Sequence, residues 1–236
     1  MGFFDKLLDD SKLPPELRER KAREARVLKE QLARSKFGDA AAVPRDKRFN
    51  ATDALVAPHL DALFPDLPLL SVRAGGSRAS ALDLLTGGGS ATLVTLAFQG
   101  RGQAQLPPWH GALLEARERG AAPGGLALLN VVLLQGWFWR AAEGLVARGT
   151  AQALHPEVAR DTHLSVHGSA MEVDHIADRL RVHNRMMGWV FLVDGGGHVR
   201  WRAHGEPLEG EADAMLRAAG ALVSHGGGEK RKKMAA

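Results

Sequence analysis

Two apolar runs of strand length with a helix between them constrain this chain most. Ser90–Phe98 reads SATLVTLAF and Leu126–Leu134 reads LALLNVVLL. Between them Pro107-Pro108 opens a helical pattern that carries Trp109, Ala112, Leu113 and Ala116 on one face. Strands joined through a crossover helix pair in parallel, with a right-handed connection.

The elements that follow complete the pattern. Trp137–Ala147 reads as a second helix, with Phe138, Ala141, Ala142 and Leu145 facing inward. Ser169 and Glu172 have capping-box spacing, and the helix they open buries Val173, Ile176, Ala177 and Leu180. Then comes GWVFLVDGGGHVRW, from Gly188 to Trp201. Val190–Val193 is apolar on both faces, as an interior strand requires. Asp194 with Gly195, Gly196 and Gly197 reads as a hairpin turn, in which Asp bonds local amides and Gly supplies positive φ. Val199 and Trp201 alternate with His198, Arg200 and Arg202, the pattern of a strand with one wet face. Pro207 opens a last helix with Leu208, Ala212, Met215, Leu216, Ala219 and Leu222 as its apolar positions.

The order β, α, β, α, α, β, β, α predicts an α/β fold of thioredoxin-like arrangement: a mixed sheet of about four strands with flanking helices. It occupies residues 86–225. Residues 1–85 read as an N-terminal helical and extended appendage, and residues 226–236, GGGEKRKKMAA, as a flexible basic tail. Within the appendage, residues 16–36 hold eight basic and four acidic residues, the pattern of a charged helix with a narrow apolar stripe. A short helical pattern with Leu55, Leu60 and Leu63 follows, then the extended piece Phe64–Val72, where Pro65 and Pro68 argue against a central strand.

Composition excludes whole classes of chemistry. The 236 residues include no cysteine, which removes disulfides, thiolate zinc sites and thiol nucleophiles. The loop Gln99–Pro108, where a thioredoxin-like protein carries its dithiol, therefore cannot do redox work, and no proline precedes the strand at Gly188. The 31 Lys+Arg against 27 Asp+Glu leave a net charge of +4, which permits an anionic partner without demanding one. Basic residues are mixed with acids and no aromatic–basic strand motif is present, which argues against nucleic acid. No apolar run reaches the roughly 20 residues of a membrane helix. The start MGFFDKLLDD has neither a secretory segment nor the character of an organellar presequence, and Lys6 spoils a myristoylation motif.

Local motifs are weak. Gly87–Ala91 precedes its strand, so it is a turn rather than a nucleophile elbow or phosphate loop. His163 and His167, with His175 and His183 beyond, lack a convergent helical spacing and read as exposed loop histidines, with no metal expected. Trp137 and Trp139 point to different helix faces, so one belongs in the core and one at the surface. Trp139, beside Arg140, is the candidate contact, although the spacing does not choose between the two.

From Asn184 to Trp201, NRMMGWVFLVDGGGHVRW, the chain resembles the closing segment of the mitochondrial ATPase complex assembly factor family known as subunit ten. The shared features are Asn184, Gly188 followed by Trp189, the run ending Leu192-Val193-Asp194, and His198-Val199-Arg200-Trp201. Ser35–Asp39 and Phe64-Pro65 agree more loosely, and Arg202 departs from the small residue the family carries there. The resemblance implies a non-enzymatic chaperone, without cofactor, for the membrane sector of F-type ATP synthase. It would help subunit a join the c-subunit ring, peripheral on the matrix side of the mitochondrial inner membrane. Trp139, Trp189, Arg200 and Trp201 are the residues expected to meet a partner, and residues 16–36 suit an anionic membrane surface. Two alternatives remain: an enzyme on the same scaffold using Asp194 or a histidine, and a lipid or nucleic-acid adaptor acting through residues 16–36 and 226–236.

Overall fold

The computed structural model describes residues 51, 54–56, 62–73, 76–98 and 100–234. All lie in the compact unit Pro44–Ala236. The helix expected at residues 16–36, the Ser35–Asp39 motif and Leu60 fall outside the described residues.

Eight strands form one sheet, not about four: β1 (Ala62–Leu63), β2 (Pro68–Ser71), β3 (Arg78–Ser80), β4 (Ala91–Ala97), β5 (Leu126–Gln135), β6 (Thr162–His167), β7 (Trp189–Asp194) and β8 (His198–His204). Their order is β1-β8-β7-β4-β5-β6-β2-β3. The centre follows the expected connectivity. β4 and β5 are parallel, joined through α3 (Pro107–Glu118), which follows the short α2 (Gly100–Gln103). β7 lies antiparallel to β4, and β8 antiparallel to β7. α7 (Glu211–Met234) closes the chain and continues through the segment expected as a tail. This is the thioredoxin arrangement.

The extra strands explain the undercount. β6 adds in parallel to β5 after α4 (Trp137–Ala153) and α5 (Pro156–Arg160). β2 and β3 extend the sheet beyond β6, and β1 covers β8. Pro68 is the first residue of β2, where its missing donor is tolerated. Leu63 is strand rather than helix, because Phe64 N donates to Gly197 O at 2.8 Å and ties this segment to the hairpin turn.

Each sheet face is covered. On one, α1 (Ala81–Gly88) and α6 (Ala170–Arg179) pack Leu85, Val173 and Ile176 against Val94, Val131 and Phe191. On the other, α3 and α7 pack Trp109, Leu113 and Met215 against Leu93, Leu128 and Leu192. Ala147 of α4 meets Val132 and Leu164 further along. Ser169 caps α6, accepting from Glu172 N at 3.3 Å, while the Glu172 carboxylate reaches back to Gly168 N rather than to Ser169.

β8 departs from a strand with one wet face. Leu192 pairs with Trp201 but Val193 pairs with Val199, so Arg200 is the extra residue of a β-bulge. Val199 therefore joins the α1/α6 core, and Trp201 the α3/α7 core. The bulge lets one strand bury apolar side chains on both faces two residues apart.

Candidate functional site

Three places could carry function: the hairpin turn, the thioredoxin active-site position and the outward face of α4. The hairpin comes first because it holds most of the residues singled out above. Asp194 Oδ1 accepts from Gly196 N at 2.9 Å and His198 N at 3.0 Å, and Oδ2 accepts from Arg200 Nη1 at 3.2 Å. Gly197, with φ +85°, donates to Asp194 O at 2.9 Å. Both carboxylate oxygens thus hold the turn and the bulge, an arrangement that leaves no free acid for catalysis. Arg200 is turned by the bulge toward the chain itself, donating also from Nε to Val56 O at 3.2 Å.

Trp189 and Trp201 are core residues, only 2% and 0% exposed. Trp201 sits edge-on to Trp109, with ring centroids 6.1 Å apart, and Trp189 stacks on Phe191. A partner could reach neither without opening the domain. Trp189 and Trp201 are therefore packing residues, and Arg200, partly exposed, is held by Asp194 and Val56. Of the four expected contacts, Trp139 is the most exposed, and Arg200 is only partly so.

The active-site position of the fold is sealed by backbone. Here α2 and the N-terminus of α3 face the residues before β7, and glycines on both sides allow contact. A Cβ on Gly188 would lie 2.5 Å from Gly102 O, and one on Gly102 would lie 2.8 Å from Met187 O. Gln105 closes the seam by accepting from Gly188 N at 2.9 Å, and Trp109 Nε1 donates to Gly205 O at 2.7 Å behind it. Without a thiol and without an opening, this position is a packed joint.

Of the four histidines expected in exposed loops, His163 and His167 lie in β6, His175 is exposed on α6 and His183 is exposed in a loop, whereas His110 of α3 is buried. His110 Nε2, Thr95 Oγ1, Asn130 Oδ1 and Thr162 Oγ1 form a buried chain that ends on Val158 O. Thr95 has one proton and donates it to Asn130, so it accepts from a neutral His110 protonated on Nε2. Burial holds the His110 pKa down at about 4. On β6, Ser165 Oγ, His167 and Glu172 line up at 2.9 and 3.3 Å, in the manner of a nucleophile, base and acid. Ser165, however, is fully buried and donates to Pro68 O at 2.9 Å, so no substrate can reach it. His167 is lowered by burial, which its bond to Glu172 opposes. Among the described residues no cluster of His, Asp or Glu is placed to hold a metal.

The outward face of α4 is what sequence reasoning oriented wrongly. Phe138, Ala141 and Leu145 point to solvent, whereas Val146, Ala147 and Ala151 face the sheet. Gly136, at φ +119°, sets the phase of the helix, and small Ala147 lets it approach Leu164 and Val132. Trp137 is 76% exposed, Phe138 52%, Trp139 37% and Leu145 76%. Both tryptophans of α4 are thus at the surface.

The domain is thioredoxin-like and cysteine-free, with its active-site position closed and an aromatic helix face open. A family model described as ATP10 protein matches residues 10–222, and the chain belongs to that family of ATP synthase assembly factors. No curated protein matches the chain. Among solved structures, BsSco, a member of the Sco family of cytochrome c oxidase assembly proteins, superposes with TM-score 0.49 and 11% identity over 70% of this chain and 95% of its own. A secreted thiol-disulfide isomerase from Corynebacterium glutamicum gives 0.48 and 12% over 77% and 96%. A SCO1/SenC family lipoprotein from Bacillus anthracis gives 0.46 and 13% over 69% and 96%. The fold class itself rests on the strand connectivity.

Proposed function

We propose that this protein is an assembly chaperone for the membrane sector of mitochondrial F-type ATP synthase, one that helps subunit a associate with the c-subunit ring from the matrix side of the inner membrane. The observation that carries the reading is the family match across residues 10–222. The site geometry supports a binding role over catalysis. Asp194 is spent on a turn, Ser165 is inaccessible, and the redox position has neither thiol nor opening. A protein that works by contact needs an exposed apolar surface instead, and α4 provides one. None of its helices among the described residues is long and apolar enough to cross a membrane, which suits a peripheral position.

The test is deletion and complementation. Cells lacking the gene should accumulate c-ring without subunit a and lose assembled enzyme on native gels, and the full chain should restore both. Normal levels of assembled enzyme in the deletion strain, together with no crosslink between the protein and subunit a, would overturn the proposal.

A further inference from the structure

The first turn of α4 carries Trp137, Phe138 and Trp139, whose rings lean on one another rather than on the core, with centroids 6.3 and 5.6 Å apart. Leu145 continues the same exposed face two turns on. Met171, 74% exposed in the first turn of α6, lies at the same end of the sheet but belongs to the helix on its opposite face. The two helix starts are tied together where Gly136 N donates to His167 O at 2.8 Å. Large apolar side chains gathered in this way would lose water over a substantial area on docking.

The charges around this face have one sign to offer. Arg140 and Arg148 are exposed and have no ion-pair partner among the described residues. The nearby acids are engaged: Glu143 pairs with Arg78, and Glu172 accepts from Gly168 N and bonds His167. A convex helix face with indoles at its tip and unpaired guanidinium groups beside them matches the boundary between lipid headgroups and acyl chains. Indoles settle at that depth, and arginines meet phosphates there. α4 spans 17 residues, so it lies on a bilayer instead of crossing it.

We infer that the outward face of α4 docks on an anionic lipid surface, with Trp137, Phe138 and Leu145 in the headgroup layer and Arg140 and Arg148 on lipid phosphates. The site is separate from the basic stretch at residues 16–36. It supplies the contact that the peripheral-membrane part of the proposed function requires, and it is tested without the ATP synthase.

The experiment uses the full chain with vesicles of phosphatidylcholine alone or mixed with phosphatidylglycerol. Binding is read by cosedimentation and by quenching of tryptophan emission with brominated lipid. Trp109, Trp189 and Trp201 are buried, so lipid quenching reports Trp137 and Trp139. The wild type should bind the anionic vesicles and be quenched. The double variant Trp137→Ser/Phe138→Ser should partition at least about tenfold less. Arg140→Glu/Arg148→Glu should lose the preference for phosphatidylglycerol, and near-UV circular dichroism should show both variants folded. Failure of the wild type to bind either vesicle overturns the inference. So does unchanged binding by the aromatic variant, which would place attachment elsewhere in the chain, or loss of a protein crosslink by that variant with vesicle binding intact. Vesicle failure with normal complementation sinks this inference alone, whereas failed complementation with normal vesicle binding sinks only the assembly role.

Discussion

The seam between α2 and the start of β7 and the outward face of α4 are opposite uses of small residues. At the seam, Gly102 and Gly188 bring two backbones together so closely that a single methyl group would collide with a carbonyl oxygen 2.5 Å away. On α4, Gly144 and Gly149 face open space, with nothing within 4 Å of an added Cβ. The first pair closes the position where this fold usually does chemistry. The second pair lies on a helix whose large apolar residues remain uncovered. The comparison shows a scaffold that is closed where this fold usually does chemistry and open along a helix flank.

The largest effect is expected at the joint. Gly188→Ala places its Cβ against Gly102 O and Leu106, and a carbonyl in a packed backbone cannot rotate away as a side chain can. The variant should lose about 3 kcal/mol of stability in urea denaturation. A loss below about 0.5 kcal/mol would mean that the seam opens freely, and the contrast with α4 would collapse.

The buried polar chain comes next, because it joins α3 to the three central strands behind that joint. His110 has a folded pKa of about 4 against 6.5 in the open chain. Its stabilising contribution is therefore complete above pH 6.5 and is lost as pH falls toward 4, because the unfolded state takes up the proton first. The wild type should lose about 2–3 kcal/mol over that window from this group. His110→Gln, which keeps an N–H donor for Thr95, should flatten that part of the profile. An unchanged acid limb in the variant would assign the loss to other groups.

This chain of hydrogen bonds also shows where the sequence could be read and where it could not. β4, β5, β7, α3 and α6 were legible because long apolar periodicities define them, and Ser169 marks its own cap. β6 was not, because its buried positions Thr162, Ser165 and His167 are polar, and Thr162 and Ser165 are satisfied by partners far along the chain. Hydropathy cannot register a polar residue that a distant strand has already bonded. β1, β2 and β3 are two to four residues long and owe their strand character to edges that exist only in the fold. The turn at Asp194 was visible from its residue types, but the bulge at Arg200, which sends Val199 and Trp201 to opposite cores, has no local signal. For α4, the apolar stripe was found and its direction reversed. A stripe of large side chains normally marks the buried face, and here the smaller Val146, Ala147 and Ala151 take that place.

The smallest effect sharpens that last point. Gly144 sits inside α4 on the exposed side, where an added methyl touches nothing. In such a site Gly→Ala removes backbone freedom from the unfolded chain and fits the helix better, so Gly144→Ala should stabilise the protein by about 0.5–1 kcal/mol. The gain depends on the face being open. If another part of the chain, or a second copy, covered α4 in solution, the methyl group would have to displace it, and the gain would shrink or turn into a loss. A measured increase in urea midpoint, independent of protein concentration, therefore establishes that this flank stands free and available to a partner. A decrease would show that the flank is already occupied, and the two glycine environments would then be alike.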